Sequence, residues 1–422
     1  MFLRVSRRLL STDAKLLKFT TSPGYIQCQP GPDDDIIVSM SSGVDSSVAA
    51  LMYSQKYRNV RGIFMANWSS SADGNVGSGC NRDDGSKGQN SSCTIDKDWH
   101  EVQATCNQLG IPCERVSFEK EYWMDVFEPM LKMYERGLTP NPDVGCNKYV
   151  KFGAMIAHLE KYYKSKIKND KKWWLVTGHY CRVLKHIETG ENHMFRAAYR
   201  PKDQSYYLSQ VPESVLDRIL LPIGHYTKPE VRKIANDHGL VTSQKPDSQG
   251  LCFVSPQKKF SDFLDEYLEP NPGNIVDREG HIWGMHKGLW HATIGQRCGI
   301  SLPQGDPKYK GIWLVCGKNI SKNELIIAKK SDKHAFERTE IKVRDWNWIN
   351  KGLNIEKVSR MPDLNCQTRS LQTDYKVAFL GLDGKDNNAL LFKLDKPVFG
   401  VAPGQNMVLY QGNRVLGCGT IC

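Results

Sequence analysis

The sequence predicts an α/β protein with a parallel sheet in its first half and a small antiparallel barrel or sandwich at its end. Three observations carry this prediction. Strand-like and helix-like stretches alternate from Asp34 to about Leu221, as a sheet with helical crossovers requires. The apolar run Ile36–Met40 stops at Ser41-Ser42-Gly43 and passes directly into a helical pattern. From about Trp313 the texture becomes short strands separated by turn signals, among them "GIWLVCG", "NELIIAKK", "DYKVAFLG" and "NMVLYQG".

In order, Ile36–Met40 reads as a strand, Val44–Gln55 as a helix and Val60–Met65 as a second strand. Asp98–Leu109 reads as a helix closed by Gly110, and Cys113–Phe118 as a strand. Tyr122–Arg136 is amphipathic and ends at Gly137; Tyr149–Tyr163 is another helix and Trp173–Thr177 a buried strand. Residues 69–92 are rich in Ser, Gly, Asp and Asn and predict a disordered surface insertion in a first domain spanning 33–221. A middle stretch, 222–312, is irregular and rich in Gly and Pro, with helices near Lys228–His238 and Lys258–Leu268; it predicts a small α+β domain. The barrel domain is expected over 313–422, with Trp346, Trp348 and Tyr375 in its core rather than as platforms for bases.

The chain has 422 residues, a formal charge of +11 and an isoelectric point near 8.9. That excess fits a nucleic-acid partner or an anionic membrane surface. No 18-residue apolar run is present, so membrane insertion is not expected. Thirteen cysteines, an odd number without a C-x-x-C pair, predict reduced intracellular thiols rather than a disulfide framework, a zinc site or a clustered iron–sulfur centre. The first 32 residues carry Arg4, Arg7, Arg8, Lys15 and Lys18 against Asp13 alone, the composition of a mitochondrial transit peptide or of a basic arm that touches RNA. Six lysines between Lys161 and Lys172 fit a solvated helix end or a phosphate-contacting patch.

The corner after the first strand has its own chemistry. A helix amino terminus behind a buried strand presents unpaired N–H groups and a positive dipole end, which suits an anion. Ser41, Ser42, Ser46 and Ser47 add hydroxyls, and Gly43 allows close backbone approach. Asp45 would repel a bare phosphate but can hold a Mg²⁺ ion bound to one. An ordinary Ser-capped helix accounts for the same residues. The stretch is neither a Walker A loop nor a dinucleotide fingerprint.

The corner resembles the S-G-G-x-D-S loop of ATP pyrophosphatases, with Ser42 at the first glycine. Further blocks are similar to the tRNA-specific 2-thiouridylases of the bacterial and mitochondrial type. They are "GIFMANW" (62–68), "TPNPDVGCNKYVKF" (139–152), "TGHY" (177–180), "KDQSYYLSQV" (202–211), "KPEVRKIA" (228–235), "KPDSQGLCFV" (245–254), "GLWHATIGQR" (288–297) and "APGQ" (402–405). The resemblance spans roughly 34–420 and implies an adenine-nucleotide alpha hydrolase-like domain, a central tRNA-binding domain carrying a second cysteine, and a β-barrel.

By this resemblance, Ser39, Met40, Ser41, Ser42, Gly43, Val44, Asp45 and Ser46 hold ATP with Mg²⁺, and Met65 and Gly178 border the adenosine. Cys252 carries persulfide sulfur, Cys146 is the nucleophile that attacks it, and the two end as a redox-active disulfide. Asp143 is the acid/base, with a helix-capping role as the plainer alternative. Asn141 and Pro142 shape the base pocket, and His179, Lys202, Asp203, Gln204, Arg369, Ser370 and Gln405 meet tRNA. The implied reaction adenylylates O2 of the wobble uridine in mitochondrial tRNAs of the Lys, Glu and Gln type and replaces it with sulfur. A cysteine desulfurase or relay protein upstream, a monomer and a matrix location complete the expectation. An amide-forming adenylylating ligase explains the corner but leaves both cysteines idle. A non-catalytic RNA-binding protein would tolerate loss of Asp45.

Overall fold

The computed structural model describes residues 16–68, 94–166, 171–247, 254, 259–301, 305–307, 309–384 and 386–422. Strand β1 (Tyr25–Ile26) is followed by β2 (Asp35–Met40), α1 (Val44–Lys56), β3 (Val60–Ala66), α2 (Thr94–Leu109) and β4 (Cys113–Ser117). Two long helical runs come next, α3 over 119–135 and α4 over 142–166, each with an internal π-helical stretch, at Trp123–Phe127 and Cys146–Ala154. Then come β5 (Trp173–Val176), β6 (Cys181–His186), β7 (Asn192–Arg196), β8 (Ile219–Leu220), α5 (Lys228–Asp237) and α6 (Phe260–Leu264). The middle strands are β9 (Gly273–Asp277), β10 (Ile282–His286), β11 (Trp313–Asn319) and β12 (Glu324–Lys329). The last six are β13 (Glu337–Trp348), β14 (Leu364–Gln367), β15 (Tyr375–Asp383), β16 (Asp386–Phe399), β17 (Asn406–Gln411) and β18 (Arg414–Ile421).

Five strands form a parallel sheet in the order β4-β3-β2-β5-β8. Ile36, Ile37 and Val38 of β2 are fully buried, as a central strand covered on both faces must be. β2 is followed in sequence by β3 on one side and neighbours β5 on the other. The sheet therefore has its topological switch point between β2 and β5, where a crevice opens at the carboxyl ends. The alternation from Asp34 to Leu221 is interrupted at 181–196. There β6 and β7 form an antiparallel pair that joins β1 and reaches β18 through the single register Arg414↔Phe195.

The carboxyl-terminal strands close on themselves in the order β18-β13-β16-β15-β14-β17, with β17 returning to β18. Trp346, Trp348 and Tyr375 pack against that barrel's core, as expected. The change of texture at Trp313 does not mark the start of the barrel. β11 and β12 belong to a separate four-stranded sheet, β10-β9-β12-β11, through the parallel pair β9–β12, and the barrel begins at Glu337. Local alternation shows a strand but not its partner, which explains the misplaced boundary.

The 1–32 leader is also too long. Leu16 and Leu17 pack against the core beside the parallel sheet. Lys18 donates its backbone N–H to Tyr226 Oη at 2.7 Å, Arg182 donates to the Thr20 carbonyl at 3.0 Å, and Tyr25 pairs in register with His186. Residues from 16 onward are part of the fold, while 1–15 and the 69–92 insertion lie outside the described residues. Among the described residues no helix is long and apolar enough to cross a membrane. Deletion of residues 16–26, which removes the contacts of Lys18, Thr20 and Tyr25, is expected to lower the melting temperature by several degrees, as read by differential scanning calorimetry.

Candidate active site at the switch point

The corner after β2 is built by backbone geometry rather than by a capping side chain. Gly43 is the residue that precedes α1, and among the described residues no side chain caps its first-turn N–H groups. Ser46 and Ser47 instead donate their hydroxyls to the Gly43 carbonyl, at 3.1 and 2.9 Å, and Ser46 Oγ accepts from Ser41 N at 3.2 Å. The Ser-capped alternative is thereby corrected: the serines shape the loop from inside and leave the helix end open to an anion.

The second wall is the end of β5. A Cβ on Gly178 would lie 2.7 Å from Ser46 N and 2.9 Å from the Asp45 carbonyl carbon. Only glycine lets this strand end approach the amino end of α1 so closely. The next residue, His179, accepts from or donates to Thr177 Oγ1 through Nδ1 at 2.7 Å, and its ring lies 5.7 Å from that of Phe152 on α4. Burial, with Lys151 as a smaller cause, pushes the His179 pKa down to about 3, so the imidazole is neutral near pH 7.

α4 supplies the third wall. Its first helical residue is Pro142, seven residues before the expected start at Tyr149, because Pro at the first position presets the helical φ. Asp143 and Cys146 therefore stand on the opening turns of one helix. Asn141 precedes the helix without a side-chain cap, and Asp143 lies inside it, so the capping alternative for Asp143 falls away. Burial raises the Asp143 pKa, with Lys151 opposing the shift. Cys146 is buried within the large core shared by Val150, Ile37 and Ile63. Lys151 acts electrostatically on both Asp143 and His179, which ties α4 to the strand end at Gly178.

Cys252 and residues 248–253 lie outside the described residues, so its placement beside Cys146 is not described. Both flanks are. On one side Lys245 donates to Ser42 Oγ at 2.9 Å and pairs with Asp98 and Glu101. Asp247 meets Lys202, Lys228 and Arg232 at 2.7, 2.9 and 2.5 Å. On the other side Val254 packs against the core that contains Cys146, and Phe263 of α6 lies 6.0 Å, ring to ring, from Phe127 of α3. The ten described cysteines are free thiols, five of them buried.

Ser42, at the first-glycine position, holds φ +57°, which a non-glycine residue adopts only when held there. Its hydroxyl donates to Asp98 Oδ1 at 2.6 Å while accepting from Lys245, so the added bulk becomes a tether. Met65 and Met40 line the strand ends, with Met40 almost wholly buried.

The expected tRNA residues divide. Lys202 is half-buried and paired to Asp247, while Arg369 is exposed and donates to the carbonyls of Phe399 and Gly400. Ser370 Oγ is buried and has no hydrogen-bond partner among the described residues. Asp203 is corrected as a direct tRNA contact. It is buried, and its oxygens accept from Ala197 N, Ser205 N and Ser205 Oγ and face Arg196 at 3.5 Å. Gln204 accepts from Tyr180 N at 2.8 Å and so supports the strand end carrying His179. Gln405 donates to the Thr139 carbonyl at 2.8 Å, and Thr139 N donates to the Pro403 carbonyl at 2.9 Å, so the barrel grips the chain just before α4.

Comparison with known proteins agrees with this architecture. Family models match residues 34–256 (tRNA methyl transferase HUP domain), 261–329 (tRNA methyl transferase PRC-barrel domain) and 338–421 (Aminomethyltransferase beta-barrel domain). The mitochondrial tRNA-specific 2-thiouridylase 1 of Saccharomyces cerevisiae is 42% identical over 95% of each chain. The chain belongs to the tRNA-specific 2-thiouridylase family. A second member, the Schizosaccharomyces pombe mitochondrial tRNA-specific 2-thiouridylase 1, is 36% identical over 93% of this chain and 91% of its own. A third, tRNA-specific 2-thiouridylase MnmA of Limosilactobacillus reuteri, is 37% identical over 92% of this chain and 94% of its own.

Sequence reading missed the lysine and acid network around the thiouridylase corner. Lys228, Asp247 and Lys245 stood inside quoted blocks, but partners such as Lys202 for Asp247, Asp45 for Lys228 and Ser42 for Lys245 are 45, 183 and 203 positions away. Gly178→Ala is expected to destabilise the fold by about 1–3 kcal/mol, because the new methyl meets backbone atoms that cannot step aside. Urea unfolding measures it as a lower midpoint.

Proposed function

We propose that this chain carries out ATP-dependent 2-thiolation of the wobble uridine of mitochondrial tRNAs, of the Lys, Glu and Gln type, in the organelle matrix. The observation that carries this reading is an uncapped helix end at a switch point, linked through Gly178 and His179 to the helix that bears Asp143 and Cys146. ATP lies with its phosphates along Ser39–Ser46 and its adenosine near Met65 and Gly178. Asp45 would hold Mg²⁺, which neutralises charge on the departing pyrophosphate. The Asp45 carboxylate is the hard oxygen donor such an ion takes; its Oδ1 now accepts from Lys228 and the Tyr180 hydroxyl, so an ion there would take the place of the ammonium.

The uridine enters extruded from its stack, against Asn141 and Pro142. Its O2 attacks the α-phosphorus, the bond from that phosphorus to the bridging oxygen breaks, and pyrophosphate leaves with the electron pair. Asp143, raised by burial, takes the N3 proton that this step releases. The terminal sulfur of a Cys252 persulfide attacks C2 and AMP departs. The Cys146 thiolate then attacks Cys252 Sγ, the sulfur–sulfur bond breaks, C2 keeps its thiocarbonyl, and a Cys146–Cys252 disulfide forms. A thiol reductant resets the pair, and a cysteine desulfurase or relay protein reloads it. The ligase alternative gives the burial of Cys146 beside Asp143 no purpose.

Mass spectrometry of wobble nucleosides from organellar tRNA tests the assignment. Cells lacking the chain, or carrying Cys146→Ser, are expected to lose 2-thiouridine, and unchanged levels overturn the reading. The pH profile tests Asp143. A base acts only when ionised, and burial holds this carboxyl above its ordinary 3.8, so the rate of adenylylation falls as pH drops through that raised value. Lys151→Gln removes the cation that lowers it, so the acid limb should move to higher pH. A limb that stays put or moves down contradicts Asp143 as the titrating group.

A further inference from the structure

We propose that Lys228 is the cation that receives the β- and γ-phosphates of ATP, kept in waiting by Asp45 and Asp247. The inference rests on the reading of residues 39–46 as the ATP loop. Lys228 is the first residue of α5, whose start is locked by a reciprocal pair: Thr227 Oγ1 accepts from Glu230 N and Thr227 N donates to Glu230. The ammonium lies 2.7 Å from Asp45 Oδ1 and 2.9 Å from Asp247 Oδ1, with its side chain only 11% exposed. Asp45 sits in the first turn of α1, so this charge stands beside the open helix end.

Among the described residues two lysines reach the corner, and their partners decide between them. Lys245 is held by Asp98 and Glu101, neither of which has another ion-pair partner among the described residues. Withdrawing Lys245 would strand two partly buried carboxylates, a costly change. Lys228 differs on both sides. Asp247 keeps Lys202 and Arg232, at 2.7 and 2.5 Å, when Lys228 leaves. Asp45 turns to the Mg²⁺ that ATP carries. Lys228 alone of the two can move onto phosphate oxygens without leaving an acid unpaired. A compact ammonium on a flexible stem suits that exchange. There it would stabilise charge on the pyrophosphate as the bond to the α-phosphorus breaks.

The test is calorimetric titration of the full chain with Mg²⁺, using α,β-methylene-ATP, which cannot be cleaved between the α- and β-phosphates, and AMP, which lacks the outer phosphates. Lys228→Met is expected to weaken the ATP analogue by at least about tenfold, the loss of one charge-assisted contact, and to leave AMP unchanged. Lys228→Arg should recover part of the loss. Equal affinity of wild type and Lys228→Met for the analogue overturns the inference while leaving the ATP loop standing. Parallel weakening of AMP also overturns it, because a lysine that merely props the corner open would act on both ligands. If the wild type binds neither ligand, the ATP reading falls and this inference with it.

Discussion

The close approach of the β5 end to the amino end of α1 is the constraint on which the site depends. Gly178 abuts Ser46 N and the Asp45 carbonyl, so the two walls of the switch-point crevice meet at backbone distance. That contact sets where His179 stands, and through Phe152 it sets where α4 stands. The corner serines add to this by satisfying one another and the Gly43 carbonyl, leaving the dipole end of α1 uncapped. A helix end left open in this way costs stability unless something occupies it.

The rest of the molecule holds two distant pieces of chain against that crevice. The barrel contributes Pro403 and Gln405, which bond to Thr139 and fix the start of the helix carrying Asp143 and Cys146. Gly404, at φ +92°, would place a Cβ 2.7 Å from Thr139 N, so the "APGQ" turn owes its glycine to this contact. Thr293 of the central region meets Thr139 at 2.5 Å, so three parts of the fold converge on one residue. The chain on either side of Cys252 is tied at Lys245 and Asp247 to the corner before α1 and at Phe263 and Tyr267 to the aromatic face of α3.

Local chemistry was legible in the sequence where a single stretch carries it. The strand-to-helix corner after β2 and the alternation that predicts a parallel sheet read correctly, because period and turn residues are short-range signals, whereas the Asn-Pro-Asp-x-x-Cys-Asn block hid a helix that starts at Pro142. Pairing across the chain was not legible. β11 and β12 read as barrel strands although their partner is β9, and the pair β6–β7 was invisible inside an α/β stretch. The basic leader read as 32 residues because composition cannot show that Tyr25 docks beside His193. Asp203 looked like a surface acid, yet it is buried by the turn it organises. Ser42 looked like a mere departure from glycine, whereas its hydroxyl ties the loop to Asp98 and Lys245.

The most direct test of a shared pocket for both half-reactions is a single turnover with persulfide-loaded protein, ATP and tRNA, quenched by alkylation and followed by peptide mapping. The account predicts that a disulfide joining Cys146 to Cys252 grows in step with 2-thiouridine. Formation of 2-thiouridine with both cysteines recovered as alkylated thiols, or with a disulfide to some other cysteine, would contradict it.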